Sequence, residues 1–342
     1  MLFPRGCLAP ARQQGNVDVE PATIERRSGL RYAQLNREYL QRRRPVILTD
    51  ALEQCPARAR WTPDYFRQRF GERIVQTDTG PMRLDAMIAQ MLDPALPTPF
   101  LRERPLPWLL PEILDDLAPL PLAARPNWLE YPFARWPDLT RRGFAAMLVR
   151  LSQIDINVTG ANVRFPYLHL DRFRCHALIM QWYGRKDFFV FAPEDTGNIY
   201  PEQHEDISQI QDVENVDLVR FPRFARARMI RFTLNPGEAL FNPSGWWHTT
   251  RTLDPSIATV ISFANGSNWT YLVRNMFPVG WKRKLAFTPY AMYLLVLGAL
   301  RLPFWTPPDA THRDTASHSL DLYHRRTGAW ARALAGPKYP AD

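Results

Sequence analysis

A chain of 342 residues with 46% hydrophobic and 12% aromatic content has the make-up of a globular protein with one sizeable core and terminal additions. Its 32 prolines favour many short strands and loops over a helical bundle. The formal charge of +9 is almost all arginine, because Lys186, Lys282, Lys284 and Lys338 are the only lysines. Solvated surface charge is the first reading. A basic face for RNA, acidic protein or anionic lipid is the second, supplied by Arg42 to Arg44, by Arg220, Arg223, Arg226, Arg228 and Arg231, and by Lys282 to Lys284. Cys7, Cys55 and Cys175 are odd in number and form no CxxC pair, which speaks against a disulfide framework or zinc knuckle and for a reducing, cytoplasmic setting.

Along the chain, residues 1–19 read as a mobile tail without the apolar run of a secretory signal. Residues 20–150 read as an α/β region wrapping the core. It contains a helix "AQLNREYLQRR", a strand "PVILT", a helix "TPDYFRQRFG" capped by Thr62, a strand "RIVQT" and a helix "LDAMIAQML". A proline-rich passage from Pro94 to Pro137 should wrap the core, and a further helix is expected around Phe144 to Arg150. The periodicity then changes. "QIDINVT", "LIMQWY", "DFFVFA", "MIRFTL", "EALFNP", "WWHTTRT" and "IATVISF" are short β-branched or aromatic runs between turn residues, as a double-sheet jelly roll requires. This places a mainly β core with flanking helices at 151–266. A helical region at 267–342 is left as a candidate homodimer contact. The apolar stretch 285–300 contains Pro289 and is too short for a transmembrane span.

His169 and Asp171 are two residues apart, so on a strand they share a face and can occupy adjacent positions on one metal ion. "NPGEALFNPSGWWHTTRT" offers His248 as a third ligand at the head of another strand. Two histidines and one carboxylate leave coordination sites open, the arrangement of non-haem Fe(II) oxygenases. Lys186 enters an otherwise apolar strand. It either points to solvent or meets the distal carboxylate of a dicarboxylate cosubstrate. Tyr183, Phe189, Trp246 and Trp247 are candidates for a dry wall, with Phe189 expected in the core. His176 is either a support for the triad or packing, His204 lies in a polar loop, and Cys175 is packing.

On "HLD", "GRKDFFVFAPEDTGNIYP", "PGEALFNPSGWWHTT" and "ISFANGSNW", the chain resembles the jumonji C, or cupin-8-like, oxygenases dependent on Fe(II) and 2-oxoglutarate. The resemblance implies a double-stranded β-helix, His169, Asp171 and His248 as catalytic iron ligands, and Lys186 as the salt bridge to 2-oxoglutarate, with O2 as oxidant. Ser262 stands where the last core strand usually has an asparagine at the cosubstrate. Pro166 replaces a threonine that hydrogen-bonds it in many members, and Phe100 an upstream tyrosine. The resemblance implies a hydroxylase acting on a protein side chain, RNA or a small metabolite. A catalytically silent cupin-like binding protein, and a metal-dependent cupin enzyme that does not use 2-oxoglutarate, stay open beside it.

Overall fold

The computed structural model describes residues 23–124, 127, 154–202, 206–271 and 292. The expected tail, the helix at 144–150, and nearly all of 267–342 with its apolar stretch at 285–300 lie outside them. Among the described residues no helix is long and apolar enough to cross a membrane.

Two sheets face each other. The larger has the order β1-β2-β10-β7-β12-β6-β5, built from β1 (Arg26–Arg27), β2 (Val46–Leu48), β5 (Leu101–Pro105), β6 (Ile154–Thr159), β7 (His176–Tyr183), β10 (Ala239–Asn242) and β12 (Ser256–Phe263). The smaller has the order β11-β8-β9, from β8 (Lys186–Phe191), β9 (Ile230–Leu234) and β11 (Trp247–Thr252). β3 (Ile74–Thr77) and β4 (Gly80–Arg83) form a separate hairpin. The fold is mainly β with flanking helices, a cupin-type jelly roll, and each of the seven expected core runs is a strand.

Strand alternation sorts the side chains between layers. Ala177, Ile179 and Leu240 of the large sheet face Phe188, Val190, Phe232 and Leu234 of the small one, and together these make the inner core. The alternate residues Leu178, Met180, Trp182, Phe241, Ile257, Ile261 and Phe263 pack outward under the N-terminal helices. Every residue of β7 from His176 to Trp182 is therefore buried.

The N-terminal region covers that outer face. Its helices are α1 (Tyr32–Leu35), running on into a π-helical turn at Asn36–Leu40, then α2 (Ala57–Arg60), α3 (Pro63–Phe70) and α4 (Leu84–Leu92). Thr62 caps α3, its hydroxyl accepting from the Tyr65 amide at 3.2 Å, with Pro63 supplying a first-turn residue that has no amide to satisfy. The described part of the proline-rich passage packs into the outer core through Leu101, Leu106, Leu110, Ile113 and Leu114, and it contributes structure that its composition hides. Leu101–Pro105 pairs with β6 as β5, and α5 (Leu106–Leu109) follows it directly. Asp116 in this passage is 5% exposed and accepts from Arg60 at 2.7 Å, Trp61 Nε1 at 3.0 Å and the Tyr65 hydroxyl at 3.2 Å. A buried carboxylate that is filled in this way locks the passage to α2 and α3.

Candidate metal centre

Residues 163–170 run along the open edge of the small sheet, antiparallel to β11. His169 and His248 stand directly opposite: the His169 amide donates to the His248 carbonyl at 3.0 Å and the His248 amide returns the bond at 2.8 Å. This register places the two imidazoles 4.2 Å apart between ring centres. Asp171, two residues on, completes the set, with its Oδ1 4.0 Å from His248 Nε2. One ligand atom from each of His169, Asp171 and His248 lies within 4.8 Å of the others, so the three can hold one metal ion. The set joins residues far apart in sequence because a single cross-strand pair brings them together.

The local bonds leave the metal-facing atoms free. His169 Nδ1 lies 3.4 Å from the Tyr167 carbonyl and His248 Nδ1 lies 3.2 Å from the Trp246 carbonyl. Nδ1–H donation to these carbonyls leaves each Nε2 with a lone pair for a metal. Burial, and then the neighbouring His248, holds His169 well below the usual imidazole range, so it stays neutral as a ligand must. Burial pushes the Asp171 carboxyl up, against the pull of His248 and of a hydrogen bond from Asn242. A buried carboxylate of this kind is better satisfied by a cation than left bare.

Lys186 lies on β8, opposite Thr252 of β11 and Leu234 of β9. His248 pairs with Val190 and Thr252 with Lys186, so the lysine shares the inner face with the triad, one end of the strand removed from it. It is 6% exposed, and burial alone pulls its ammonium down to about 8. Among the described residues no carboxylate pairs with it. Pointing to solvent is thereby excluded for Lys186. Ser262 lies on the same inner face, opposite Ala177 on β7, with partial solvent access.

Several sequence expectations are resolved. Trp247 is fully buried in the outer cluster with Phe189 and Phe191, donating from Nε1 to Thr196 at 3.0 Å, and Tyr183 packs toward the N-terminal region. Neither lines the centre: alternation turns Trp247 away from His248, and Tyr183 ends β7 at the register shift between Ile257 and Ala258 and packs on the outer core. Trp246 sits against the inner core and donates to the Arg43 carbonyl at 3.0 Å. Phe189 is core, as expected. His176 accepts from the Ser244 amide at 2.9 Å and bonds Ser267 Oγ at 2.8 Å, so it latches the β10–β11 turn and touches none of the three ligands. Cys175 is buried packing, its thiol pushed up by burial. His204 lies outside the described residues. Within the arginine cluster, Arg231 pairs with the buried Asp187 at 2.5 Å and Arg228 with Asp195 at 3.7 Å, so these two serve internal carboxylates.

Neighbours missed in the sequence frame the mouth. Phe165 stacks on His169 at 4.6 Å between ring centres, Tyr167 meets it edge-on at 5.2 Å, and the Arg102 guanidinium lies 5.6 Å from the centres of both the Phe165 and Tyr167 rings. The alternation of Phe165, Tyr167 and His169 was the available signal. Glu103 had none. It has a left-handed φ of 49° at the β5 irregularity, and its amide is held by Asn157 Oδ1 at 3.0 Å. Phe100 packs edge-on against Phe165 at 6.1 Å, while Pro166 is exposed.

The described residues form a cupin-type jelly roll in which two histidines and an aspartate could hold a metal ion, with a buried lysine on the same inner face. The sequence pattern of the family described as "Cupin-like domain" matches residues 159–266, which take in every residue of that site. HSPB1-associated protein 1 of Rattus norvegicus is 43% identical over 133 residues, covering 37% of this chain and 26% of the relative. Lysine-specific demethylase 8 of Xenopus tropicalis is 28% identical over 236 residues, covering 64% of this chain and 48% of the relative. Jumonji C domain-containing protein 5 of Drosophila melanogaster is 33% identical over 85 residues, covering 24% of this chain and 21% of the relative. The matched part thus spans about a quarter of the HSPB1-associated relative. Residues 159–266 thus carry the cupin-like pattern, and part of the chain is similar to jumonji C relatives.

Proposed function

We propose that the chain is an Fe(II)- and 2-oxoglutarate-dependent oxygenase that hydroxylates a protein side chain. The observation that carries this reading is Lys186: a buried ammonium with no carboxylate partner among the described residues, on the inner face that also bears His248. A buried cation without a counter-ion is costly unless a ligand supplies the missing charge, and a dicarboxylate reaching from the triad would do so. Two of the relatives' names, one associated with HSPB1 and one a lysine-specific demethylase, favour protein as the substrate class.

His169, Asp171 and His248 would hold iron, and their chemistry fits, with two neutral imidazole nitrogens and one carboxylate. When bound, the iron would couple oxidation of 2-oxoglutarate to succinate and CO2 with insertion of the second oxygen atom of O2 into a substrate C–H bond. In this reading Lys186 anchors the distal carboxylate of the cosubstrate. Ser262 offers a hydroxyl from the facing sheet. Phe165 and Tyr167 exclude water beside His169, and Glu103 with Arg102 and Arg172 gives the mouth its polarity toward an incoming side chain.

Phe100 supports a second reading. A phenyl ring cannot donate to the cosubstrate, and position 166 carries an exposed proline, so 2-oxoglutarate would have fewer hydrogen bonds and the centre would serve as a silent or 2-oxoglutarate-independent metal site. Anaerobic titration with Fe(II) and then 2-oxoglutarate, followed by visible absorption, separates the two. The oxygenase reading expects a charge-transfer band in the wild type that is lost in His169→Ala and needs far more 2-oxoglutarate in Lys186→Ala. Iron binding without any such band would sink it in favour of the second.

A further inference from the structure

Asn242 is a buried polar side chain that packing does not explain. It ends β10, opposite Ala177 on β7, and is 1% exposed. Its Nδ2 donates to Asp171 Oδ2 at 3.1 Å and lies 3.1 Å from His248 Nδ1, while its Oδ1 is buried without a partner. The amide therefore touches two of the three proposed ligands, which come from different segments, and among the described residues no other bond holds it.

An asparagine kept for the turn that follows β10 would bond the backbone of that turn. This one does not. The turn is held by the Ser244 amide on His176 at 2.9 Å and by the Trp246 amide on the Pro243 carbonyl at 3.2 Å. The two Asp171 oxygens are differently occupied: Oδ1 is 4.0 Å from His248 Nε2, on the metal-facing side, and Oδ2 is on Asn242. His248 Nδ1 lies between the Trp246 carbonyl at 3.2 Å and Asn242 Nδ2 at 3.1 Å, so the ring is contacted from both sides at the nitrogen turned away from Asp171 Oδ1.

We infer that Asn242 is the positioning residue of the centre: it holds Oδ2 of Asp171 so that the carboxylate offers the metal one oxygen, and it fixes the tilt of the His248 imidazole. The inference rests on the metal reading above. Partners of ligands in this position set ligand orientation and basicity, and their loss weakens metal binding by about 10- to 100-fold.

The test uses Co(II) as a probe of affinity and of ligand field, on the full chain, with Asn242→Leu and Asn242→Ala. Leucine keeps the shape and removes the donor. Alanine leaves room for a water to donate to Oδ2 in its place. The inference expects Co(II) to bind Asn242→Leu about 10- to 100-fold more weakly than wild type, with an altered visible spectrum, and Asn242→Ala to fall between the two. Thermal stability should run the other way, alanine below leucine, because alanine leaves the larger cavity. Wild-type affinity and spectrum in both folded variants would overturn the inference, as would an affinity loss that follows stability. Should Asn242→Leu not fold, the spectrum and affinity of Asn242→Ala decide, since a role in packing alone leaves both unchanged in the folded protein. Wild-type protein that binds no Co(II) would overturn the metal reading itself.

Discussion

Lys186 has an ordinary value of 10.5 in the unfolded chain and about 8 in the folded one, lowered by burial. Between those values the unfolded chain binds more protons, so stability rises as pH climbs from about 8 to 10.5, and the full penalty is present below pH 8. The shift corresponds to about 3 kcal/mol. Lys186→Met should therefore stabilise the ligand-free protein at neutral pH by up to about 3 kcal/mol and abolish that rise, as read by urea unfolding across the pH range. The same substitution should weaken 2-oxoglutarate binding severely, as measured by calorimetry. A variant that is less stable than wild type at neutral pH would mean that Lys186 has a partner at home. The sequence marked this lysine as one of four in the chain, but its burial depends on β11 and β9 closing on either side.

At the scale of single elements, two glycines test how the turns place the site. Gly184 joins β7 to β8 with φ +67°, and a Cβ there would lie 1.9 Å from the Pro255 carbonyl oxygen. Gly184→Ala should cost about 2–5 kcal/mol in chemical denaturation, the strain of φ and the clash together. Gly245 precedes Trp246 with φ +89°, but its nearest neighbour would be Pro193 Cγ at 3.5 Å, an ordinary contact. Gly245→Ala should cost only about 1–2 kcal/mol, the φ strain by itself. Equal losses at both positions would refute the argument from space. The helix and strand periods were legible for these elements. "LDAMIAQML" is α4 to the residue and "LIMQWY" lies wholly within β7. β5 was not legible, because Arg102, Glu103 and Pro105 are a poor strand signal and only pairing with β6 makes Leu101–Pro105 extended.

Across the whole molecule, the described N-terminal region and the jelly roll share one outer core, in which Trp61 of the wrap meets Trp182 of β7 at 5.4 Å between ring centres. Asp116 fastens that wrap. Asp116→Ala leaves Trp61 Nε1 buried without its acceptor and should cost about 2–4 kcal/mol. Thermal unfolding should keep a single transition at a lower midpoint. Separation into two transitions would show instead that wrap and barrel fold independently.

The sequence by itself determined the strand runs, the HxD pair and the third histidine, because two-residue alternation and motif spacing are local properties of the chain. It left Lys186 open between solvent and an internal anion. Tertiary structure decided the rest. The one-to-one pairing of His169 with His248 defines the centre, the turning of Trp247 and Tyr183 away from it follows from sheet register, and Asn242 reaches Asp171 across 71 positions of sequence. Each depends on which strands lie side by side, and that is fixed by the collective burial of two sheets rather than by any segment alone.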